Sequence, residues 1–214
     1  MHRAGHRRRP TLPARALLAA LLVTLAWATG PGGSAQDGPA GHDGAVVAEV
    51  RYHASDQRST WTGRAPLRIE RFDVALDALD EARLEALVRV DELRSGNALR
   101  DFQARATVFD AARHPEVRFR LDDVVGAFDP SLRALQPLEL VGVLTVRDVA
   151  RTVVIAASVE IDDAHVQVFA RFELSLEAFE LAAPRFLTLV VDDVVAIEVD
   201  ALWPRDHDST TTTR

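Results

Sequence analysis

The stretch SGNALRDFQARATVFDAARHPEVRF, residues 95–119, decides how the rest of the chain is read. Ser95, Gly96 and Asn97 are turn and helix-capping residue types. After them Leu99, Phe102, Ala106 and Phe109 recur at three- and four-residue steps. That period puts them on one face of a helix, and an apolar face needs a core to lie on. His114-Pro115 stops the helix, because proline has no N–H to donate and drives the preceding residue away from helical angles. Beyond it Val117, Phe119 and Leu121 alternate with Arg118, Arg120 and Asp122, the period of a strand with one wet face. The segment is one helical insertion between strands.

Upstream, Leu84, Ala86, Val88 and Val90 alternate with Glu85, Arg89 and Asp91. The apolar positions Leu67 and Ile69, then Phe72, Val74 and Leu76, change parity once near Glu70-Arg71, as one extra residue in a bulge would make them do. Val46 to Ala54 and the shorter Ser59 to Gly63 read as strands. Downstream, Pro130 to Pro137 is a turn. Leu138 to Val146 and Val153 to Ile161 are the most continuously apolar runs, joined through Arg147-Asp148-Val149-Ala150-Arg151. Asp162-Asp163 then turns the chain into Val166, Val168, Ala170, Phe172 and Leu174, which alternate with polar residues, and Val194 to Leu202 is the last strand. About eight closely spaced strands with one short helical insertion predict a mainly β, eight-stranded antiparallel up-and-down barrel. An open sandwich of two sheets is the other architecture this pattern admits. Apolar residues on both faces of several strands favour closure.

The ends are different in kind. Arg7, Arg8 and Arg9 precede an apolar run from Ala16 to Ala28 that is short for a membrane-spanning helix, which reads as a secretory signal peptide. Ala26-Trp27-Ala28 and Gly33-Ser34-Ala35 both offer the small-x-small pattern for cleavage, so residues 1–35 form the leader and the mature chain begins near Thr29 or Gln36. An uncleaved anchor is the alternative. Residues 36–45 read as a disordered linker, 46–203 as the barrel and 204–214 as a disordered polar tail. The expected location is outside the cytoplasm, in the periplasm or the medium, with no stable membrane insertion after processing.

The net charge is −7. Removing the leader, which holds five arginines and no acid, makes the mature chain more negative still. Such a chain repels nucleic acid, so no nucleic-acid partner is expected. There is no cysteine, so neither a disulfide nor a lipid on cysteine holds the exported protein together. The histidines after the leader, His42, His53, His114, His165 and His207, lie at no metal-ligand spacing, and no Gly-x-Ser-x-Gly elbow or phosphate loop occurs. Asp122-Asp123, Asp162-Asp163 and Asp192-Asp193 fall at strand ends or turns, where solvated carboxylates are ordinary. No metal, no cofactor and no catalytic residue is therefore assigned, and the chain is read as a non-enzyme.

Several motifs taken together resemble the YceI-like, polyisoprenoid-binding family of exported bacterial lipocalin-like barrels. They are Leu93 with Ser95-Gly96-Asn97, Arg100-Asp101, Phe109-Asp110, His114-Pro115 and Phe119. Gly142-Val143-Leu144-Thr145-Val146-Arg147 follows with Val149 and Arg151, then Phe172-Glu173-Leu174-Ser175 with Phe179 and Pro184, then Asp193-Val194. The similarity spans roughly Val46 to Trp203. Departures are Gln103 where members often carry histidine, His114 for tyrosine, Asp148 for glycine, and Leu176 and Glu180 where arginine and glycine are common. The resemblance implies a barrel whose interior holds an isoprenoid or other long amphiphilic lipid without catalysis.

An eight-stranded barrel either fills itself with side chains or holds one ligand. The candidate tunnel lining is Val88, Val90, Phe119, Leu121, Leu140, Leu144, Ile155, Val168, Phe172 and Leu174. Arg100 and Asp101 are the sharpest polar pair, at a barrel mouth or in a structural role, and adjacent helical side chains point apart, so each has its own partners. The competing reading is a cell-envelope interaction or stress-protection module with a packed barrel and no ligand. Pairing into a homodimer is left open.

Overall fold

The computed structural model describes residues 47–183, 185–186 and 189–204. The expected leader and linker (1–45), and all of the expected tail except Pro204, lie outside the described residues, as does Pro184.

The strands are β1 (Val47–Ser55), β2 (Thr60–Pro66), β3 (Arg68–Asp73), β4 (Arg83–Arg89), β5 (Glu116–Val125), β6 (Gln136–Val146), β7 (Val149–Ile161), β8 (His165–Ser175), the short pair β9 (Arg185–Phe186) and β10 (Leu189–Val190), and β11 (Val194–Pro204). One helix, α1 (Ala98–Gln103), lies between β4 and β5. All strands but β9 and β10 form one antiparallel sheet of nine strands in the order β2-β1-β11-β8-β7-β6-β5-β4-β3.

The sheet is curled and open, with nine strands, which corrects the expected closed barrel of eight. Its edges are β2 and β3, which are consecutive in sequence with only Leu67 between them. The chain crosses the seam there, so the curl brings the two edges close, yet no ladder joins them. A single bridge pins the gap from β2: Arg64 N–H donates to the Arg94 carbonyl at 2.8 Å and Arg94 N–H to the Arg64 carbonyl at 2.9 Å. Pro66, which has no N–H, ends β2 at the seam.

The tight turns follow from aspartates whose carboxylates accept backbone N–H groups. Asp56 accepts from Arg58 and Ser59 at 2.8 and 2.9 Å between β1 and β2. Asp162 accepts from Ala164 and His165 at 2.7 and 2.6 Å between β7 and β8. The parity change near Glu70-Arg71 is a bulge, with the β3–β4 register shifting between Ile69 and Arg71. A second bulge interrupts β5 between Leu121 and Asp123. Bulges bend and twist a strand, and both lie on the side of the sheet that curls toward β3.

The insertion departs from expectation in length and in orientation. Asn97 caps α1, its side chain accepting from Leu99 and Arg100 N–H, both at 3.1 Å. From Ala104 the turns widen to the five-residue hydrogen bond of a π-helix, Phe109 N–H to the Ala104 carbonyl at 3.0 Å, and helical structure ends at Val108, well before His114-Pro115. The wider turn changes the phase of the helix. Val108 is buried and Phe109 packs on the core, whereas Leu99, Phe102 and Ala106, expected to face the core, are exposed.

Apolar clusters occupy both ends of the curl. At the α1 end Val108, Leu144, Val146, Leu176, Phe179, Leu181 and Val195 pack together. At the other end Leu138, Val159 and Ile161 pack with Leu76 and Leu79 from the segment joining β3 to β4. Phe72 and Trp203 stack there at 5.2 Å between ring centroids.

Candidate functional site

Between the two ends the curled sheet leaves space. An upper cavity of about 360 Å³ opens beside α1, within the usual range for small-ligand sites. Its wall combines apolar residues such as Leu93, Val108, Leu174 and Ile197 with the polar Asp56, Ser59, Asn97, Arg100 and Gln103. A lower cavity of about 200 Å³ runs into the interior with an almost wholly apolar wall. The two share Tyr52, Leu93, Phe109, Leu174 and Ile197, so they are neighbouring parts of one interior.

The structure brings together most of the expected lining. Val88, Val90, Phe119, Leu140, Leu144, Ile155, Val168 and Phe172 line the lower cavity, and Leu174 lines both. Leu121 is buried but belongs to neither wall. Arg100 lines the upper cavity, half-buried, with its guanidinium 4.2 Å from the centre of the Trp61 ring. Asp101 is 6% exposed and lies outside both walls. Its Oδ1 accepts the Ser95 N–H at 2.8 Å and the Ser95 hydroxyl at 2.6 Å, which ties the loop before α1 to the helix. Arg100 stacks on Trp61 and Asp101 holds Ser95, and the Ser95 hydroxyl, 3.4 Å from Arg100 Nη1, links the two.

Sequence reasoning missed Tyr52, Trp61, Ile197 and Trp203. Val195, Ile197, Val199, Ala201 and Trp203 alternate along β11, so that strand carried the same signal as β8. Tyr52 lies between the cavities, over Gly63, its partner on β2: a Cβ at Gly63 would stand 2.1 Å from Tyr52 Cζ. Burial raises the pKa of the Tyr52 hydroxyl, and the Asp101 carboxylate adds to the rise, while Ser95 and Arg100 act in the opposite sense. Trp203 Nε1 is buried with no hydrogen-bond partner among the described residues, and Trp203 lines the lower cavity. Among the described residues no three His, Asp or Glu side chains gather to hold a metal ion.

The family profile of the YceI-like domain matches residues 45–202, almost the whole of the described chain. The chain belongs to the YceI-like family. Solved structures of the same fold include BcnA of Burkholderia cenocepacia, 18% identical, covering 72% of this chain and 95% of that one at a TM-score of 0.61. A polyisoprenoid binding domain from Saccharophagus degradans, implicated in plant cell wall breakdown, is 12% identical, with 76% and 99% covered and a TM-score of 0.60. The YceI protein of Campylobacter jejuni is 15% identical, with 71% and 88% covered and a TM-score of 0.56. At these identities the likeness is one of fold. None of the curated proteins matches the sequence.

The residues read from the sequence as departures from the YceI-like pattern can be placed, Leu176 among the buried core. Gln103 lines the upper cavity. His114 and Asp148 meet, Nε2 to Oδ2 at 3.6 Å, so two of the departures are in contact. Glu180 has φ of 55°, the left-handed region that glycine enters at least cost, and the β6–β7 turn has its left-handed residue at Arg147, φ 54°, just before Asp148.

Proposed function

We propose that this protein is an exported carrier that holds a polyisoprenoid or similar long amphiphile in its interior. The observation that supports this reading is the gradation along one continuous wall. Asp56, Ser59, Asn97, Arg100 and Gln103 surround the upper cavity, and from Tyr52 inward the wall is almost wholly apolar. An apolar chain in the lower cavity removes apolar surface from water, and a polar head meets the groups above it. Arg100 is the cation best placed to meet an anionic or carbonyl-bearing head. The ten interior residues named from the sequence, Leu121 excepted, are the proposed chain-binding wall. Residues 1–35 are the proposed export signal.

The test is native mass spectrometry and solvent extraction of protein purified without detergent, with N-terminal sequencing of the exported species. A chain lipid should be recovered from protein that begins near Thr29 or Gln36. Protein that yields no lipid and takes up none from an isoprenoid alcohol defeats the carrier reading, and an intact Met1 on membrane-bound protein defeats the processing.

A further inference from the structure

The insertion turns its apolar stripe outward. Leu99 is 51% and Phe102 61% exposed, Ala106 one turn on is exposed too, and the buried residue of α1 is a carboxylate, Asp101. A helix that buries an aspartate and shows leucine and phenylalanine to solvent inverts the usual amphipathic arrangement, and the exposed apolar face then has a use. Its place is particular. Leu99 belongs to the wall of the upper cavity beside Asn97 and Arg100, so the stripe continues the cavity wall at its opening. The local charge is also the reverse of the molecule's. The helical segment 98–108 carries Arg100 and Arg105 against one carboxylate, the buried Asp101, in a protein of net charge −7. Across the opening, Arg58 is exposed on the β1–β2 turn whose Asp56 and Ser59 line the same cavity.

We propose that this face of α1 docks on a phospholipid bilayer. Leu99 and Phe102 enter the headgroup region, Arg58, Arg100 and Arg105 meet lipid phosphates, and an amphiphile passes between bilayer and cavity over Leu99. The route of the amphiphile rests on the carrier reading, whereas the docking face rests on its own geometry and charge. A lipid surface suits the patch better than a protein does, because two large side chains fall far short of the roughly 800 Å² per partner of a stable protein interface. Shallow insertion of a few apolar groups helped by several arginines gives weak, reversible attachment, which a carrier needs in order to leave.

The experiment is flotation of the mature protein with vesicles of phosphatidylethanolamine and phosphatidylglycerol, against vesicles of phosphatidylcholine alone. The wild type should float with the anionic vesicles, less so as salt is raised. The double variant Leu99→Ser, Phe102→Ser should lose about tenfold or more in vesicle partition with its melting temperature unchanged. In a Phe102→Trp variant, emission should shift to the blue when anionic vesicles are added. A wild type that carries lipid yet stays at the bottom with both vesicle types overturns the docking surface alone. So does a double variant that floats like the wild type, or a Phe102→Trp emission that does not move. Protein that floats but yields no lipid overturns the carrier reading and leaves the docking surface standing.

Discussion

Replacing Asp101 by alanine separates the two halves of the Arg100-Asp101 pair. The carboxylate is 6% exposed, and one of its oxygens accepts both the Ser95 N–H at 2.8 Å and the Ser95 hydroxyl at 2.6 Å. Asp101→Ala leaves two partly buried donors without an acceptor. A hydrogen bond to a charged group contributes about 1.5 to 3 kcal/mol, and the two bonds share an oxygen and do not add fully, so the expected cost is about 2 to 4 kcal/mol. For a domain of this size that is a fall in Tm of roughly 5 to 15 °C. Asp101→Asn keeps an accepting oxygen and should lose about 1 kcal/mol. Arg100→Ala gives up a half-exposed contact with Trp61, worth about 0.5 to 1 kcal/mol, and should hardly move Tm while weakening retention of a lipid with a polar head. The assay is calorimetry of delipidated and lipid-loaded protein side by side. Because the Asp101 bonds lie within the protein, the loss should be the same in both states. An Asp101→Ala protein as stable as the wild type, or one destabilised only when loaded, refutes the structural assignment.

Three further outcomes are expected. Phe172→Ala should cost clearly less in delipidated protein than the 3 to 5 kcal/mol or so of a filled core, since the ring borders a void, and should lower lipid recovery; calorimetry showing the full penalty contradicts a tunnel wall, and Phe172→Asp should expel the chain altogether. Gly63→Val places a Cβ 2.1 Å from Tyr52 Cζ and must drive the ring off its strand, costing roughly 1 to 3 kcal/mol; an unchanged Tm and unchanged lipid content would show that Tyr52 is not held there. The pKa of Asp193 is lowered, first by the Ser175 hydroxyl and then by the Glu177 N–H. Its contribution to stability is present above the ordinary carboxylate pKa of about 3.9 and is lost as pH falls through the lowered folded value. Hydrogen-exchange protection of the Glu177 amide should fall only in that acidic range, and protection lost near neutrality would rule out this linkage.

The strands were legible because a curled sheet with one apolar inner face imposes a period of two, which β5, β8 and β11 carry plainly. Even the β3 bulge showed, as a change of parity at Glu70-Arg71. Closure did not show. A period tells which face of a strand is apolar and nothing about whether two edges exchange hydrogen bonds, and here β2 and β3 part at Pro66 and Leu67 with one bridge, Arg64 to Arg94, across the seam. The insertion failed for a related reason. Leu99, Phe102 and Ala106 do share a face, but a helical period cannot name the medium that face meets, and the widened turn after Ala104 put Val108 and Phe109 on the core instead.

The void was the least legible feature, because it depends on pairs of residues on different strands. In a narrow barrel, aromatic side chains pointing inward would fill the space between the walls. Here two of them lie along the wall, and each lies against a glycine on the neighbouring strand. Tyr52 covers Gly63, and the Phe119 ring lies against Gly142, where a Cβ would stand 2.7 Å from Phe119 Cζ and 2.4 Å from the Arg120 carbonyl oxygen. A side chain at either glycine would push its aromatic neighbour toward the interior, so the missing β-carbons are part of what keeps the interior open. Each glycine taken alone reads as an ordinary strand defect. Only the register, which sets Tyr52 opposite Gly63 and Phe119 diagonally across from Gly142, turns the two defects into the space in which a chain can lie.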